Sequence, residues 1–133
     1  MKKIVIIDTG SSNILSLKRA IETFKFNTIV TTDKNEILSA NKIFFPGVGA
    51  FRKVMEYLND KRLVEILLNI KEKRIPLFGI CLGLQLFFDQ SEEFGINKGL
   101  GLLSGDVKKL PLKTKDNKNI KVPSMGWFSL NLN

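Results

Sequence analysis

IPLFGICLGLQL, residues 75–86, is the stretch that decides the fold of this chain. Its first half, residues 75–80, is a continuous apolar run, which is typical of a β-strand buried on both faces. The residues after Cys81, LGLQLFFDQSEEF at 82–94, predict the helix that this strand feeds. A buried strand that leads directly into a helix is the repeating unit of α/β proteins.

Three further apolar runs, at residues 3–8, 28–32 and 42–49, have the same strand-like character. Helical spacing of apolar residues fills the sequence between them. Fully apolar strands that alternate with helices indicate a parallel sheet covered on both sides. We therefore predict an α/β fold with a mostly parallel sheet flanked by helices, in one domain over residues 1–133.

Capping residues mark where the intervening helices begin. Ser-Ser-Asn at residues 11–13 offers N-caps for the first helix, and Asp33, three residues before Glu36, is close to a capping box. A long helical region at 51–74 has a predicted break or second cap at Asn59–Asp60. The apolar residues that define the first helix are Ile14, Leu17, Ile21 and Phe24.

Composition limits the classes of function. The chain has 21 Lys+Arg against 13 Asp+Glu, a formal charge of +8. The densest basic run, residues 108–121, has no aromatic residue for base stacking, which argues against nucleic-acid binding.

No apolar stretch approaches the length of a membrane span, so we expect no membrane insertion and a cytoplasmic protein. Residues 113–119 predict a solvated loop or hairpin connection between short antiparallel strands at 107–112 and 120–127.

Cys81 lies between Gly79 and Gly83 in the pattern G-x-C-x-G, the thiol version of a nucleophile elbow. A nucleophile on a sharp strand-to-helix turn brings the backbone two residues to either side into close contact, where a β-carbon would clash. The helix N-terminus also helps to activate the sulfur. The alternative is a buried structural cysteine between two chance glycines. Gln85, one turn along, could present its amide to a ligand or be a surface polar residue.

The apolar run at 42–49 ends in Pro46, Gly47, Val48 and Gly49. Glycines let the backbone approach a ligand and turn its N–H groups toward developing negative charge, which is what an oxyanion hole requires. In isolation this sequence is an ordinary turn. Combined with a cysteine elbow on the next strand, it predicts an acyl-transfer site.

Six segments, in this order along the whole chain, resemble the class I glutamine amidotransferases. They are IIDTGSSN, FPGVGAF, PLFGICLGLQLFF, SEEFG, GLGLLSGDV and KVPSMGW. The last two are similar to the subunit type that serves imidazole glycerol phosphate synthase. The resemblance implies a flavodoxin-like fold and no cofactor or metal. It also implies hydrolysis of glutamine through a glutamyl thioester, with ammonia passed to a cyclase of (β/α)-barrel fold in a heterodimer of histidine biosynthesis.

The resemblance also assigns roles to single residues. Cys81 is implied as the nucleophile, and Gly47, Val48 and Gly49 as the oxyanion loop. Gln85 and Glu93 match positions that hold glutamine, with Glu93 on the α-ammonium group; taken alone, Glu93 would be a solvated charge near a helix end. Trp127 matches a position at the mouth that faces the cyclase, and otherwise would be a core or interface aromatic residue.

The chain departs from the family pattern at the catalytic base, because it contains no histidine. The family's histidine and glutamate come later, in a C-terminal part that the resemblance implies is missing here. Ser124 stands where the family usually has histidine, Phe128 where it has asparagine, and Thr9 and Ser12 where it has tyrosine and glycine. We therefore expect little or no glutaminase activity from these 133 residues alone, and an unpaired apolar edge on the sheet.

Two alternatives remain open from the sequence. The chain could be a non-catalytic module that binds the cyclase. It could instead be a paralogue that feeds ammonia to an aminosugar-modifying enzyme of surface-polysaccharide synthesis.

Overall fold

The structure is a computed structural model that describes residues 2–10, 13–123, 125–127 and 129. Four strands form a parallel sheet in the order β2-β1-β3-β4, and three two-residue strands form a second sheet in the order β6-β5-β7. The strands are β1 Lys3–Ile7, β2 Asn27–Thr31, β3 Lys42–Gly47, β4 Leu77–Cys81, β5 Gln90–Ser91, β6 Asn97–Lys98 and β7 Asp106–Val107. The helices are α1 Ile14–Glu22, α2 Lys34–Leu38, α3 Phe51–Asp60, α4 Leu63–Glu72 and α5 Leu82–Gln85. The predicted α/β class is confirmed.

The strand β1 lies inside the four-stranded sheet because its apolar residues can be buried from both faces. Val5 pairs with Ile29 on one side and with Ile43 on the other. Val5, Ile6 and Ile7 are all fully buried. Alternate residues of a strand point to opposite faces, so the sheet needs cover on both.

The two faces are covered unequally. Val5, Ile7 and Phe45 belong to the larger core, which also holds the apolar sides of α2, α3 and α4. On the other face, Ile4 and Ile6 of β1 form a smaller cluster with Ile21 of α1. The strand β4 pairs only with β3 among the described residues, and its Phe78 is 62% exposed.

The helix starts follow the predicted caps. The Asn13 side chain accepts a hydrogen bond from the Ser16 N–H at 3.4 Å, and the Asp33 carboxylate accepts one from the Glu36 N–H at 2.9 Å. Ser11 and Ser12, the other predicted caps, lie outside the described residues. Phe24 follows the end of α1 and is exposed, so its inclusion in the first helix was wrong.

The predicted break in the long helical region is also present, slightly later than Asn59–Asp60. Helix α3 ends at Asp60 and α4 begins at Leu63. Between them, Arg62 adopts a left-handed conformation with φ of 55°. Both helices contribute buried residues to the larger core and therefore cover the same face of the sheet.

The helix predicted at 82–94 is wrong beyond its first turn, because α5 ends at Gln85. In a longer helix the next carbonyls would accept hydrogen bonds from residues 90–93. Here they accept from a later segment: Leu86 from Leu100 at 2.9 Å, Phe87 from Leu102 at 2.7 Å, Phe88 from Gly101 at 3.2 Å and Asp89 from Gly99 at 2.8 Å.

The hairpin connection at residues 113–119 is confirmed by an antiparallel bridge between Lys113 and Asn119. The flanking strands are not. Of residues 107–112 only Val107 lies in a strand, and β7 pairs parallel with β5; the described residues of 120–127 form none. Leu110 and Leu112 are exposed, so no packing against the core stabilises a longer ladder. Among the described residues, no helix has the length and apolar character needed to cross a membrane.

Candidate functional site

The cysteine turn and the glycine loop meet at the carboxyl edge of the parallel sheet. Gly47 ends β3 and Cys81 ends β4, and the two residues are partners in the register of these strands. Ligands of open α/β sheets bind outside this edge. The structure therefore brings together two of the sites predicted from sequence.

Cys81 has an unusual backbone for a residue with a side chain. Its φ is 55° and its ψ is −120°, at the junction between β4 and α5, and the residue is exposed. A conformation of this kind costs roughly 1–3 kcal/mol and persists only where the surroundings impose it. A strained, exposed residue on a strand-to-helix turn is the geometry of a nucleophile elbow.

The neighbouring glycines supply the surroundings that impose this turn. A β-carbon on Gly83 would lie 1.9 Å from the Phe45 carbonyl oxygen, and one on Gly79 would lie 2.7 Å from the Leu84 Cα. A β-carbon on Gly47 would lie 2.8 Å from the Gly83 nitrogen. The steric explanation given for G-x-C-x-G is confirmed, and Gly47 shares the same crowded contact.

The helix dipole at Cys81 is weaker than the predicted helix at 82–94 would give. Helix α5 has four residues, a single turn, so few peptide dipoles are aligned behind Cys81. The short helix therefore gives little of the dipole effect expected at Cys81.

The glycine loop separates two cavities. Val48, 48% exposed, lines a cavity of about 170 Å³ together with Cys81. It also lines a cavity of about 250 Å³ together with Gly49 and Tyr57. Gly49 has φ of 100°, a conformation that favours glycine. The loop thus adopts a backbone that few other sequences would allow, directly beside the cysteine.

Gln85 and Glu93 line a third cavity of about 430 Å³, with Ser91 and Lys108. Cys81 does not line this cavity. It immediately precedes α5, and Gln85 is the last residue of that helix. The two substrate-binding residues predicted from the family pattern are therefore together, with the cysteine at the other end of the connecting turn.

Glu93 makes a contact that the sequence did not predict. Its carboxylate accepts a hydrogen bond at 2.7 Å from the backbone N–H of Phe51, the first residue of α3. Ala50, the residue at the N-cap of α3, provides no side-chain cap. Glu93 supplies that cap from 42 positions away along the chain. Glu93 is exposed and lies at a helix start, as expected of a solvated charge near a helix end, but the helix it caps is α3.

Tyr57 is a second residue that sequence reasoning missed. Burial, and then the negative charge of Asp8, raises the pKa of its hydroxyl above the ordinary 10.0. A β-carbon on Gly10 would lie 2.9 Å from the Tyr57 ring, so the ring packs directly on the loop after β1. The sequence pattern alone does not indicate this contact.

The third cavity has an ion-pair network on its rim. Lys108 lies 3.4 Å from Glu92 and 3.6 Å from Asp106. The hydrogen bond to Glu92 is the largest cause that raises the pKa of Lys108 above its ordinary 10.5, followed by the charges of Glu92 and Asp106. Among the described residues, no group of three or more His, Cys, Asp or Glu side chains is placed to hold a metal.

The remaining candidates lie in the last part of the chain. Trp127 is fully exposed, which excludes its interpretation as a core residue. Ser124 and Phe128, which depart from the family pattern, lie outside the described residues.

Comparisons with known proteins identify similar sequences. The sequence profile of the family described as glutamine amidotransferase class-I matches residues 5–128. The imidazole glycerol phosphate synthase subunit HisH of Geobacillus sp. (strain WCH70) is 43% identical over 125 residues, which are 94% of this chain and 59% of the relative. The protein of the same name from Moorella thermoacetica is 46% identical over 127 residues, 96% and 58% of the two chains. The chain thus spans less than two thirds of the length of these relatives.

Two solved structures share the fold. One, described as a glutamine amidotransferase, superposes with a TM-score of 0.66 and 16% identity, over 78% of this chain and 55% of that one. A putative peptidase E protein from Listeria monocytogenes EGD-e superposes with a TM-score of 0.63 and 14% identity, over 77% and 63%. Identities this low support the flavodoxin-like α/β architecture alone.

Proposed function

The chain belongs to the class I glutamine amidotransferase family, and we propose that the protein it represents hydrolyses glutamine with Cys81 as the nucleophile. The observation that carries the proposal is the backbone of Cys81. It is strained, exposed and held by Gly79 and Gly83, in register with Gly47 of the neighbouring strand. A structural cysteine would need neither the strain nor the exposure.

The proposed reaction has two steps. The Cys81 sulfur attacks the side-chain amide carbon of glutamine, and the C–N bond breaks to release ammonia, which leaves a glutamyl thioester. Water then attacks the thioester carbon, the C–S bond breaks, and glutamate leaves with the thiol restored. The backbone at Gly47, Val48 and Gly49 is the proposed oxyanion hole for both tetrahedral intermediates.

A proton must reach the leaving nitrogen and must be removed from the attacking thiol and water. The 133 residues contain no histidine for this task. Tyr57, with its raised pKa, is neutral at pH 7 and lies in the cavity on the far side of Val48. We therefore propose that the base is not among these residues, in agreement with the family resemblance, and that the chain alone has little or no glutaminase activity.

The proposed binding site for the substrate's α-amino acid group is the cavity of about 430 Å³. Glu93 is the proposed partner of the α-ammonium group, and the Gln85 amide is a donor and acceptor for the remaining polar atoms. A substrate held there would extend its side chain along α5 toward Cys81.

The ammonia acceptor is proposed from the names of the relatives. Both are subunits of imidazole glycerol phosphate synthase. We propose that ammonia passes to a cyclase subunit of barrel fold in a heterodimer of histidine biosynthesis, with Trp127 facing that partner and the enzyme in the cytoplasm. These relatives do not favour the two alternatives, a purely cyclase-binding module and an aminosugar-pathway paralogue.

Active-site labelling tests the nucleophile and the substrate together. A diazoketone analogue of glutamine should alkylate the Cys81 sulfur once with loss of N2, which adds the mass of the analogue less that of N2, and excess L-glutamine should slow the reaction severalfold. Iodoacetamide is the control for general thiol reactivity, and Cys81→Ser for the site of addition. A labelling rate that L-glutamine does not change would contradict the proposal. So would the absence of labelling by the diazoketone where iodoacetamide still reacts with Cys81.

A further inference from the structure

Glu93 joins two parts of the site that are distant in sequence. It lines the proposed glutamine cavity, and its Oε2 accepts the Phe51 N–H at 2.7 Å. Phe51 is fully buried and lies two residues after Gly49, where the proposed oxyanion loop enters α3. A displacement of the Glu93 carboxylate therefore acts directly on the end of that loop.

The backbone of Glu93 is held by hydrogen bonds on both sides. The Glu93 N–H donates to the Ser91 hydroxyl at 3.1 Å, and Ser91 is buried. The Glu93 carbonyl accepts from the Asn97 side-chain amide at 2.7 Å. The backbone of the residue is thus fixed, so the bond to Phe51 requires ordering of the Glu93 side chain but little further ordering of the backbone.

The bond is of the stronger kind. It joins an ionised acceptor to one of the unsatisfied N–H groups at the start of a ten-residue helix, where the helix dipole also favours a negative charge. The bond given by the structure uses Oε2, and a carboxylate has a second oxygen with its own lone pairs. One carboxylate can therefore hold Phe51 and accept a hydrogen bond from a ligand at the same time.

We propose that Glu93 is a positioning residue that couples occupation of the substrate's ammonium site to the backbone of the oxyanion loop at residues 47–49. This inference rests on the proposed function. An ammonium group on the second oxygen restrains the carboxylate, and the carboxylate restrains the Phe51 N–H and the loop that precedes it. The loop is then most rigid when glutamine is present and the oxyanion is about to form.

Amide hydrogen exchange at Phe51, followed by NMR, tests the bond itself. In the unliganded chain this amide should exchange slowly. Glu93→Ala should speed its exchange by tenfold or more, and Glu93→Gln, which keeps the shape and a neutral acceptor, by a smaller factor, since hydrogen bonds to charged groups contribute about 1.5–3 kcal/mol. Glu92→Gln is the matched control, because it removes the neighbouring charge without touching Phe51, and should leave this exchange rate unchanged.

The coupling is tested by a pair of ligands on the wild-type chain, so it does not depend on a variant that folds. L-Glutamine at saturation should slow exchange at Phe51 by about threefold or more, and glutaramate, which lacks the α-ammonium group, should not. In Glu93→Gln the effect of L-glutamine should disappear.

The outcomes separate the two proposals. Unchanged Phe51 exchange in both Glu93 variants would overturn the positioning role even if the diazoketone still labels Cys81. An equal effect of glutaramate and L-glutamine would overturn the coupling. Failure of glutamine-protected labelling, with Phe51 still dependent on Glu93, would remove the proposed function and leave Glu93 as a helix cap only.

Discussion

The turn at residues 79–83 and the segment at 86–107 follow one another along the chain, but different forces fix them. The turn is fixed by contact between atoms with no room for a β-carbon, as between Gly83 and the Phe45 carbonyl. The segment is fixed mainly by backbone hydrogen bonds, in which the carbonyls of residues 86–89 accept from residues 99–102. One region is rigid because of shape, and the other because its polar groups are paired.

This difference determines how each region responds to substitution. A close contact between backbone atoms cannot relax without moving β3 away from α5, and packed interiors resist such movement. A set of hydrogen bonds can lose one member and keep the rest, at about 1 kcal/mol for each bond. We therefore expect large, global effects from the turn and smaller, local effects from the segment.

Gly83→Ala should have the largest effect. Its β-carbon would lie 1.9 Å from the Phe45 carbonyl oxygen in the middle of the fold, and we expect a loss of about 3 kcal/mol or more in the free energy of unfolding. Urea unfolding followed by far-UV circular dichroism measures it. The matched variant is Gly101→Ala, where φ of 61° strains a residue with a side chain but the β-carbon meets no close contact. We expect this variant to lose about 1 kcal/mol. Equal losses in the two variants would show that the contact at Gly83 is not what fixes the turn.

Gly99→Ala should come next and should act within the segment. A β-carbon there would lie 2.2 Å from the Phe88 carbonyl oxygen, so the strand pairs around it must separate. We expect a loss of about 2 kcal/mol. Amide exchange should rise in residues 86–107 while the amides of β1 keep their protection. Uniform loss of protection across the sheet would mean that the segment is not a separate unit.

The same contrast explains what could be predicted from the sequence. The turn is encoded as a pattern in five consecutive residues, although only Gly79 meets a local atom, the Leu84 Cα, and Gly83 meets the Phe45 carbonyl of β3. The parallel sheet is encoded in its apolar runs, since a strand buried on both faces has no polar positions. Both patterns could therefore be recognised in the sequence before the long-range contacts that require them were known.

Two features that the sequence did not predict share a different cause. Residues 86–94 have a helix-compatible pattern, and only the competition of residues 99–102 for their carbonyls ends the helix. The bond between Glu93 and Phe51 spans 42 positions, and no local pattern indicates it. Long-range pairing of polar groups overrides local preference at both places.

Asp89→Ala tests a single bond of the segment. The Asp89 carboxylate accepts from the Gly105 N–H at 2.9 Å, in an exposed position. Loss of this bond should lower the free energy of unfolding by about 1 kcal/mol. Asp116→Ala, in the exposed hairpin turn, should stay within about 0.5 kcal/mol of wild type. A loss from Asp89→Ala as large as that from Gly99→Ala would show that this one side chain, and not the set of backbone bonds, holds the segment.

The smallest effect concerns Lys108, the first residue after the segment, and its ion pairs with Glu92 and Asp106 inside the segment. The hydrogen bond from Lys108 to Glu92 raises the lysine's pKa above 10.5, and Asp106 adds a smaller contribution. A pKa raised in the folded chain means that the pair's stabilisation is complete below the unfolded value and is lost as pH rises through the folded value. Glu92→Gln should therefore return the Lys108 titration, followed by the NMR shift of its Cε, toward 10.5. Asp106→Asn should move it less, because Glu92 supplies both the strongest hydrogen bond and the larger charge effect. A larger shift from Asp106→Asn would show that Asp106 of β7, and not Glu92 at the rim of the proposed glutamine cavity, is the main partner of Lys108.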